Sequence, residues 1–269
     1  MNPLIPIQEL KPLLNQPNVV LLHCLGKSVH DSESGEDEYI NGALIANMSV
    51  DFCDVTSPFP NTIPSAEQFE LTCQKLGINQ DSLIIIYDPY QITFAPRLFW
   101  LFHLFGHRNI KVLNAGIKEA KEEGVSVVST PCIASMQGTF KASMDKNLIR
   151  FLAEMEENIK SQQELVVDVR SKGRFNGTSP EPRKGLRSGH IPNSMNIPYL
   201  NLMDNGWFKS EEELRKEIDS VLDEDKSIVF TCGSGITASI AYLAGRMCDI
   251  KKLSVYDGSW TEWATKHQS

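Results

Sequence analysis

The run Thr231-Cys232-Gly233-Ser234-Gly235-Ile236-Thr237-Ala238-Ser239 combines a thiol, two glycines and the hydroxyls of Ser234, Thr237 and Ser239. It lies between an apolar stretch, Ser227-Ile228-Val229-Phe230, and a helical pattern from Ala238 to Met247. In an open α/β sheet, ligands bind at this carboxyl end of the strands. Two glycines let such a loop curl so that successive backbone N–H groups point inward, and a nest of this kind at a helix N-terminus binds anions. A cysteine at its base has its thiolate stabilised, and a persulfide formed there is held in the same way. Cys232 is therefore a candidate nucleophile. The bland alternative is an inert, packed cysteine; strand placement, paired glycines and clustered hydroxyls together weigh against it. Spacing excludes two other loops. No lysine stands where a GxxxxGK[ST] phosphate loop requires one. A cysteine-dependent phosphatase loop needs an arginine six positions after the cysteine, and Ala238 occupies that place.

A second segment of chemical interest runs from Asp168 to Pro192. Six basic residues, Arg170, Lys172, Arg174, Arg183, Lys184 and Arg187, fall within 18 positions, with one glutamate, Glu181, among them. Recurrent Pro and Gly predict a loop. Arginine grips a carboxylate through two parallel hydrogen bonds, a geometry lysine does not copy. A small carboxylate-bearing substrate fits that pattern; a solvated basic loop is the alternative.

The elements that must position these residues occur twice. Val19-Val20-Leu21-Leu22 is matched by Leu165-Val166-Val167-Asp168-Val169, and Leu83-Ile84-Ile85-Ile86-Tyr87-Asp88 by Ser227-Ile228-Val229-Phe230-Thr231-Cys232. Helical patterns follow at Ala95 to Phe105 and Ala238 to Met247, then third strands at Lys111-Val112-Leu113 and Leu253-Ser254-Val255-Tyr256. The offsets are 146, 144 and 142 residues, the drift expected of a duplication with loop insertions. Short, continuously apolar strands alternating with helices predict an α/β fold: two tandem domains, each a mainly parallel sheet with helices on both faces. The boundaries are residues 1–125 for the first domain, 126–143 for a turn-rich linker and 144–269 for the second. Residues 145–160 carry a helical pattern through Leu148, Phe151, Leu152 and Met155. The place equivalent to Cys232 is Asp88, in a loop without cysteine or glycine, so the first domain is expected to be non-catalytic and to wall one side of a cleft. Acidic and polar residues at 30–38 follow its first strand.

Composition bounds the rest. The 269 residues, 41% of them hydrophobic and 22% charged, suit two globular domains. A net charge of −8 argues against nucleic-acid binding. No apolar run reaches the roughly 18–20 residues a membrane helix needs. The N-terminal residues lack a secretory or Arg-rich transit pattern. Six scattered cysteines without a CxxC motif predict free thiols in a reducing compartment, cytoplasmic with the mitochondrion as alternative.

The order of these motifs resembles the tandem-rhodanese sulfurtransferases over nearly the whole chain, most closely their 3-mercaptopyruvate branch. The resemblance rests on Ser57-Pro58-Phe59-Pro60, Ala95-Pro96-Arg97, Pro180-Glu181-Pro182-Arg183, Gly189-His190-Ile191-Pro192, the Cys232 loop and Tyr256-Asp257-Gly258-Ser259-Trp260-Thr261-Glu262-Trp263. It implies a persulfide on Cys232, with Ser234 polarising the donor or assisting proton movement. It also implies a carboxylate and keto group held by Arg174 and Arg183, with Gly233, Gly235, Ile236 and Thr237 of the loop as further substrate-binding residues. Thiosulfate-preferring members carry basic residues at the second and third loop positions, where this chain has neutral Gly233 and Ser234. Thiosulfate:cyanide transfer, or a weakly catalytic persulfide-carrying or redox-sensing homologue, remain the alternatives. The implied acceptor is a thiol, such as thioredoxin, or cyanide; no metal or organic cofactor is required, and the chain is expected to be a monomer or weak dimer. One departure stands out. The family pattern places a His and an Asp in the first half to work with the loop serine, and here Asn61 and Val50 fall at those positions, with Asp51 beside the latter.

Other pairs read as packing. His103 and His107 have zinc-pair spacing without a third ligand. Trp260 and Trp263 suit a buried helix face, Cys248 lies too far along a helix from Cys232 for a direct disulfide, and Glu211-Glu212-Glu213 reads as an acidic first helical turn.

Overall fold

The run Leu83–Tyr87 has no polar face to offer water, and it takes the centre of a sheet where both faces are covered. A computed structural model describes residues 2–14, 16–26, 38–221 and 226–267; most of the acidic 30–38 segment lies outside them. The strands are β1 (Leu4–Ile5), β2 (Val19–Leu25), β3 (Leu44–Asn47), β4 (Leu83–Tyr87) and β5 (Ile110–Leu113), then β6 (Ile149–Arg150), β7 (Glu164–Asp168), β8 (Met195–Asn196), β9 (Ser227–Thr231) and β10 (Leu253–Tyr256). The first sheet has the order β1-β5-β4-β2-β3. The second has β6-β10-β9-β7-β8, the same order shifted by five. Every pair in both sheets is parallel. Helices flank both sheets; those used below are α1 (Ala66–Lys75), α2 (Ala95–Leu104), α3 (Leu152–Ser161), α4 (Glu211–Asp219), α5 (Ile236–Met247) and α6 (Ser259–Lys266). The repeat inferred from the strands is thus a repeat of topology.

The chain divides into two compact units: Met1–Asp54 with Ile63–Met144, and Val55–Thr62 with Asp145–Ser269. Two differences from the sequence boundaries follow. Residues 126–143 pack with the first unit: Phe140 is fully buried, and Cys132, Gly138 and Ser143 donate their backbone N–H groups to Ala43, Gln74 and Phe105. Residues 55–62, from the first half of the sequence, belong to the second unit. The helical pattern at 145–160 also divides. Ile149–Arg150 pairs with Val255–Tyr256 as an edge strand, and the helix starts only at Leu152, where Glu154 returns to cap the Phe151 N–H.

Each unit has its own core. In the first, Leu21, Ile85, Leu113 and Ile117 form one cluster. In the second, Met155, Val166, Val229, Tyr256, Trp260 and Trp263 do the same. Both tryptophans of α6 are therefore packing residues, and the Trp260 indole N–H donates to the Arg187 carbonyl at 2.8 Å. His107 is buried with Nε2 against the carbonyls of Ser82 and Asn109, at 3.0 and 3.2 Å. The three glutamates open α4, and Ser210 and Glu213 form a reciprocal cap there.

Candidate active site

Cys232 lies at the C-terminal end of β9, with α5 beginning at Ile236. It is 2% exposed. Gly235 holds the left-handed conformation, φ 85°, which glycine adopts without a Cβ penalty. That turn aims the Gly235 N–H at the sulfur, with N to Sγ at 3.2 Å. The first-turn N–H groups of α5, Ile236 and Thr237 among them, have no intrahelical acceptor and add the positive end of the helix dipole. The anchor behind the loop is the start of α6. Trp260 N–H donates to the Cys232 carbonyl at 2.9 Å, and Thr261 donates from both its N–H and its hydroxyl to the Gly233 carbonyl at 3.1 and 2.6 Å. Ser259, at φ 50°, turns its hydroxyl to accept the Cys232 N–H. Ser239 is spent inside the loop, donating to the Gly235 carbonyl at 3.0 Å. Gly233, Ser234, Ile236 and Thr237 are half-buried, so the loop presents an open rim around a covered sulfur.

Asn61 meets this rim. Its Nδ2 is 3.0 Å from Ser234 Oγ and 3.3 Å from the Ser234 carbonyl oxygen. A carbonyl only accepts, so the amide presents its NH2 group here and donates to the hydroxyl too. Ser234 Oγ is an acceptor toward Asn61, leaving its own proton for another partner. Asn61 has φ 58°, a conformation asparagine tolerates better than most residues. Val50, at the other departed position, is exposed on a turn of the first unit.

The arginines divide by burial. Arg170 is fully buried, bonded to the carboxylates of Asp168 and Glu181, and lies over the Trp260 ring at 4.5 Å. It is a structural ion-pair centre and leaves the basic patch expected from the sequence. Burial pushes the Asp168 carboxyl up, against the pull of Arg170. Arg174, on the single turn Lys172–Phe175, donates from Nη2 to Glu181 at 2.6 Å and from Nε at 3.1 and 3.2 Å. A Cβ on Gly233 would stand 2.8 Å from Arg174 Nη2, so the guanidinium lies directly against the loop backbone. Glu181 thus fixes one edge of Arg174 and leaves Nη1 for an incoming anion. Arg183 reaches Thr261 Oγ1 from Nη1 at 3.5 Å. Burial pulls its guanidinium down, with neighbouring Cys232 and Glu181 acting in the opposite direction. Glu181, which holds both Arg170 and Arg174, is the candidate site residue that sequence reasoning missed. Its signal was a lone acid between prolines inside a basic run.

The first unit offers a counterpart. Asp88 follows β4 as Cys232 follows β9, and its carboxylate accepts the N–H groups of Thr93, Phe94 and Ala95 at 2.8, 2.9 and 2.9 Å. The loop there is closed around its own carboxylate. Burial pushes this carboxyl up to about 6, with the three N–H bonds pulling back.

A rhodanese-like domain model matches residues 151–266. A thiosulfate sulfurtransferase of Cricetulus griseus is 38% identical over 234 residues, covering 85% of this chain and 78% of the relative. The 3-mercaptopyruvate sulfurtransferase of Homo sapiens is 37% identical over 236 residues, covering 85% of this chain and 77% of the relative. The crystal structure of SseA from Escherichia coli, described as a 3-mercaptopyruvate sulfotransferase, superposes with a TM-score of 0.86 at 25% identity, over 97% of this chain and 99% of that one.

Proposed function

We propose, from the premise that this chain belongs to the rhodanese-like sulfurtransferases, that its sulfur donor is 3-mercaptopyruvate and that Cys232 carries the sulfur. The family activity moves sulfur from a small-molecule donor to a thiol acceptor. One observation carries the donor assignment: Gly233 and Ser234, the two residues after the cysteine, bring no charge to the rim, while Arg174 lies against that same backbone. A single carboxylate is matched by one guanidinium edge. A compact dianion would call for cations in the loop itself.

In this reading the Cys232 thiolate attacks the donor sulfur, a new S–S bond forms, and the donor C–S bond breaks. The electron pair leaves with carbon as pyruvate enolate, which then takes a proton. Arg174 and Arg183 hold the carboxylate and keto oxygens, and stabilise the charge that develops there. Ser234, oriented by Asn61, donates its proton toward the donor. Gly235 N–H and the first turn of α5 stabilise the sulfur anion before and after transfer. Gly233, Ile236 and Thr237 shape the rim. The acceptor thiol, thioredoxin or a smaller thiol, then removes the outer sulfur. Six unpaired cysteines favour a reducing compartment such as the cytoplasm. No helix among the described residues is long and apolar enough to cross a membrane.

The second reading, thiosulfate as donor, draws on the thiosulfate sulfurtransferases among the relatives. Pyruvate release from 3-mercaptopyruvate with a thiol acceptor, run beside thiosulfate plus cyanide, separates the two. The expected result is preference for 3-mercaptopyruvate, one extra sulfur atom per chain in the charged protein, and loss of both in Cys232→Ser. Equal or better use of thiosulfate overturns the donor; persulfide formation in Cys232→Ser overturns the nucleophile.

A further inference from the structure

Beside the persulfide loop, the second unit has an open cleft of about 510 Å³. Arg183, Lys184 and Arg187 line it, with Leu186, Ala264 and Thr265 among its other walls. Three features set it apart from the donor site. None of residues 232–237 lines it, nor does Arg174; Arg183 is the one residue it shares with the donor site. It is far larger than a three-carbon acid needs, and lies in the range that accommodates ligands of drug or peptide size. It also gathers three cations and no carboxylate in a chain of net charge −8.

The cations are held differently. Arg187 donates from Nε to the His267 carbonyl at 3.0 Å and lies over Trp260 at 4.8 Å, so its guanidinium is fixed. Lys184 is exposed at the rim. Arg183 and Thr261 join the cleft to the nucleophile, since Thr261 holds the Gly233 carbonyl one residue from Cys232. An acceptor whose thiol reaches Cys232 past Thr261 would lay its remaining atoms along α6 toward Thr265.

We infer that this cleft seats the anionic body of the sulfur acceptor, a peptide-sized thiol with at least two carboxylates. The inference rests on the sulfurtransferase reading of Cys232. The acceptor thiolate bonds to the outer sulfur of the persulfide, the Sγ–S bond breaks, and Cys232 leaves as thiolate; nothing external is oxidised or reduced. Arg187 and Lys184 hold the distant carboxylates and Arg183 the near end.

The two half-reactions separate this inference from its premise. The full chain is charged with donor, freed of excess, and discharged to 2-mercaptoethanol or to glutathione, the latter as the dicarboxylate peptide probe. Lys184→Glu is expected to leave charging and discharge to 2-mercaptoethanol unchanged, which also shows that the variant is folded. Discharge to glutathione falls about tenfold, the scale of losing one exposed attraction and gaining one repulsion, and the difference shrinks as salt rises. Lys184→Gln falls between. Equal discharge of wild type and Lys184→Glu to glutathione overturns the cleft as acceptor site. Failure of the wild type to charge overturns the sulfurtransferase reading of Cys232 instead.

Discussion

Replacing Asn61 tests whether Ser234 works as an oriented hydrogen-bond donor. Asn61→Gly deletes the bonds from Nδ2 to the Ser234 hydroxyl and carbonyl, at 3.0 and 3.3 Å, while glycine takes φ 58° freely. Backbone strain therefore does not confound the result, as it would in Asn61→Ala. A neutral hydrogen bond contributes roughly 0.5–1.5 kcal/mol net. If that energy holds the Ser234 proton toward the donor, its loss lowers kcat/KM for charging about three- to tenfold, since 1.4 kcal/mol is tenfold. Asn61→His is the complementary change. Histidine also tolerates this backbone region, and its neutral imidazole takes the Ser234 proton so that Ser234 can in turn take the donor's thiol proton, a base route the Asn61 amide does not supply. That variant is expected to turn over 3-mercaptopyruvate faster than wild type. It also gains a limb that rises with pH through about 6.5, where imidazole loses its charge; wild type lacks that limb. Stopped-flow charging across pH 5.5–8.5 measures both. Asn61→Gly within twofold of wild type, together with Asn61→His that is no faster and shows no new limb, would refute the role assigned to Ser234.

Glu181 gives a stability test and a kinetic one. Glu181→Ala leaves buried Arg170 with Asp168 and the Gly189 carbonyl but without its second carboxylate, and frees Arg174, so denaturant unfolding is expected to lose about 1–3 kcal/mol, with KM for the donor raised several-fold; a loss below about 0.5 kcal/mol contradicts the buried network. Asp88 gives a pH test. Its folded pKa of about 6 lies above the usual aspartate value, so the native state holds the extra proton between about pH 4 and 6. Stability relative to Asp88→Asn is thus highest in acid and falls by roughly 3 kcal/mol as pH rises through that window. Unfolding of both proteins at pH 4 and pH 6.5 checks this, and a flat difference refutes it.

The central strands and the two long helices beside them were legible because continuous apolar runs and helical spacing are local signals. The paired order of the sheets followed from their repetition. The edge strands β1, β6 and β8 were not legible, because two residues carry no period and their pairing is decided by partners far along the chain. The Cys232 loop was legible as chemistry, since glycine and thiol state their roles locally. The division of labour among the arginines was not. Arg170 and Arg174 are four residues apart in one basic run, yet one is sealed under Trp260 and the other lies against Gly233. Only the tertiary position of Glu181, which takes a hydrogen bond from each, separates them.

The membership of residues 55–62 in the second unit has a consequence for how the two halves share descent and fate. A gene cut at the junction near residue 144 would yield a downstream fragment with every strand of its sheet, the cysteine and both arginines. It would lack Asn61, the hydrogen bonds to Ser234 and the Phe59 ring over which Lys266 lies. The repeat is therefore not modular: a strip of chain that precedes Ile63 in the sequence belongs to the second unit. Transplanting the downstream half into another protein would need that strip carried along, by circular permutation or by grafting, for the transferred half to keep its loop serine in place.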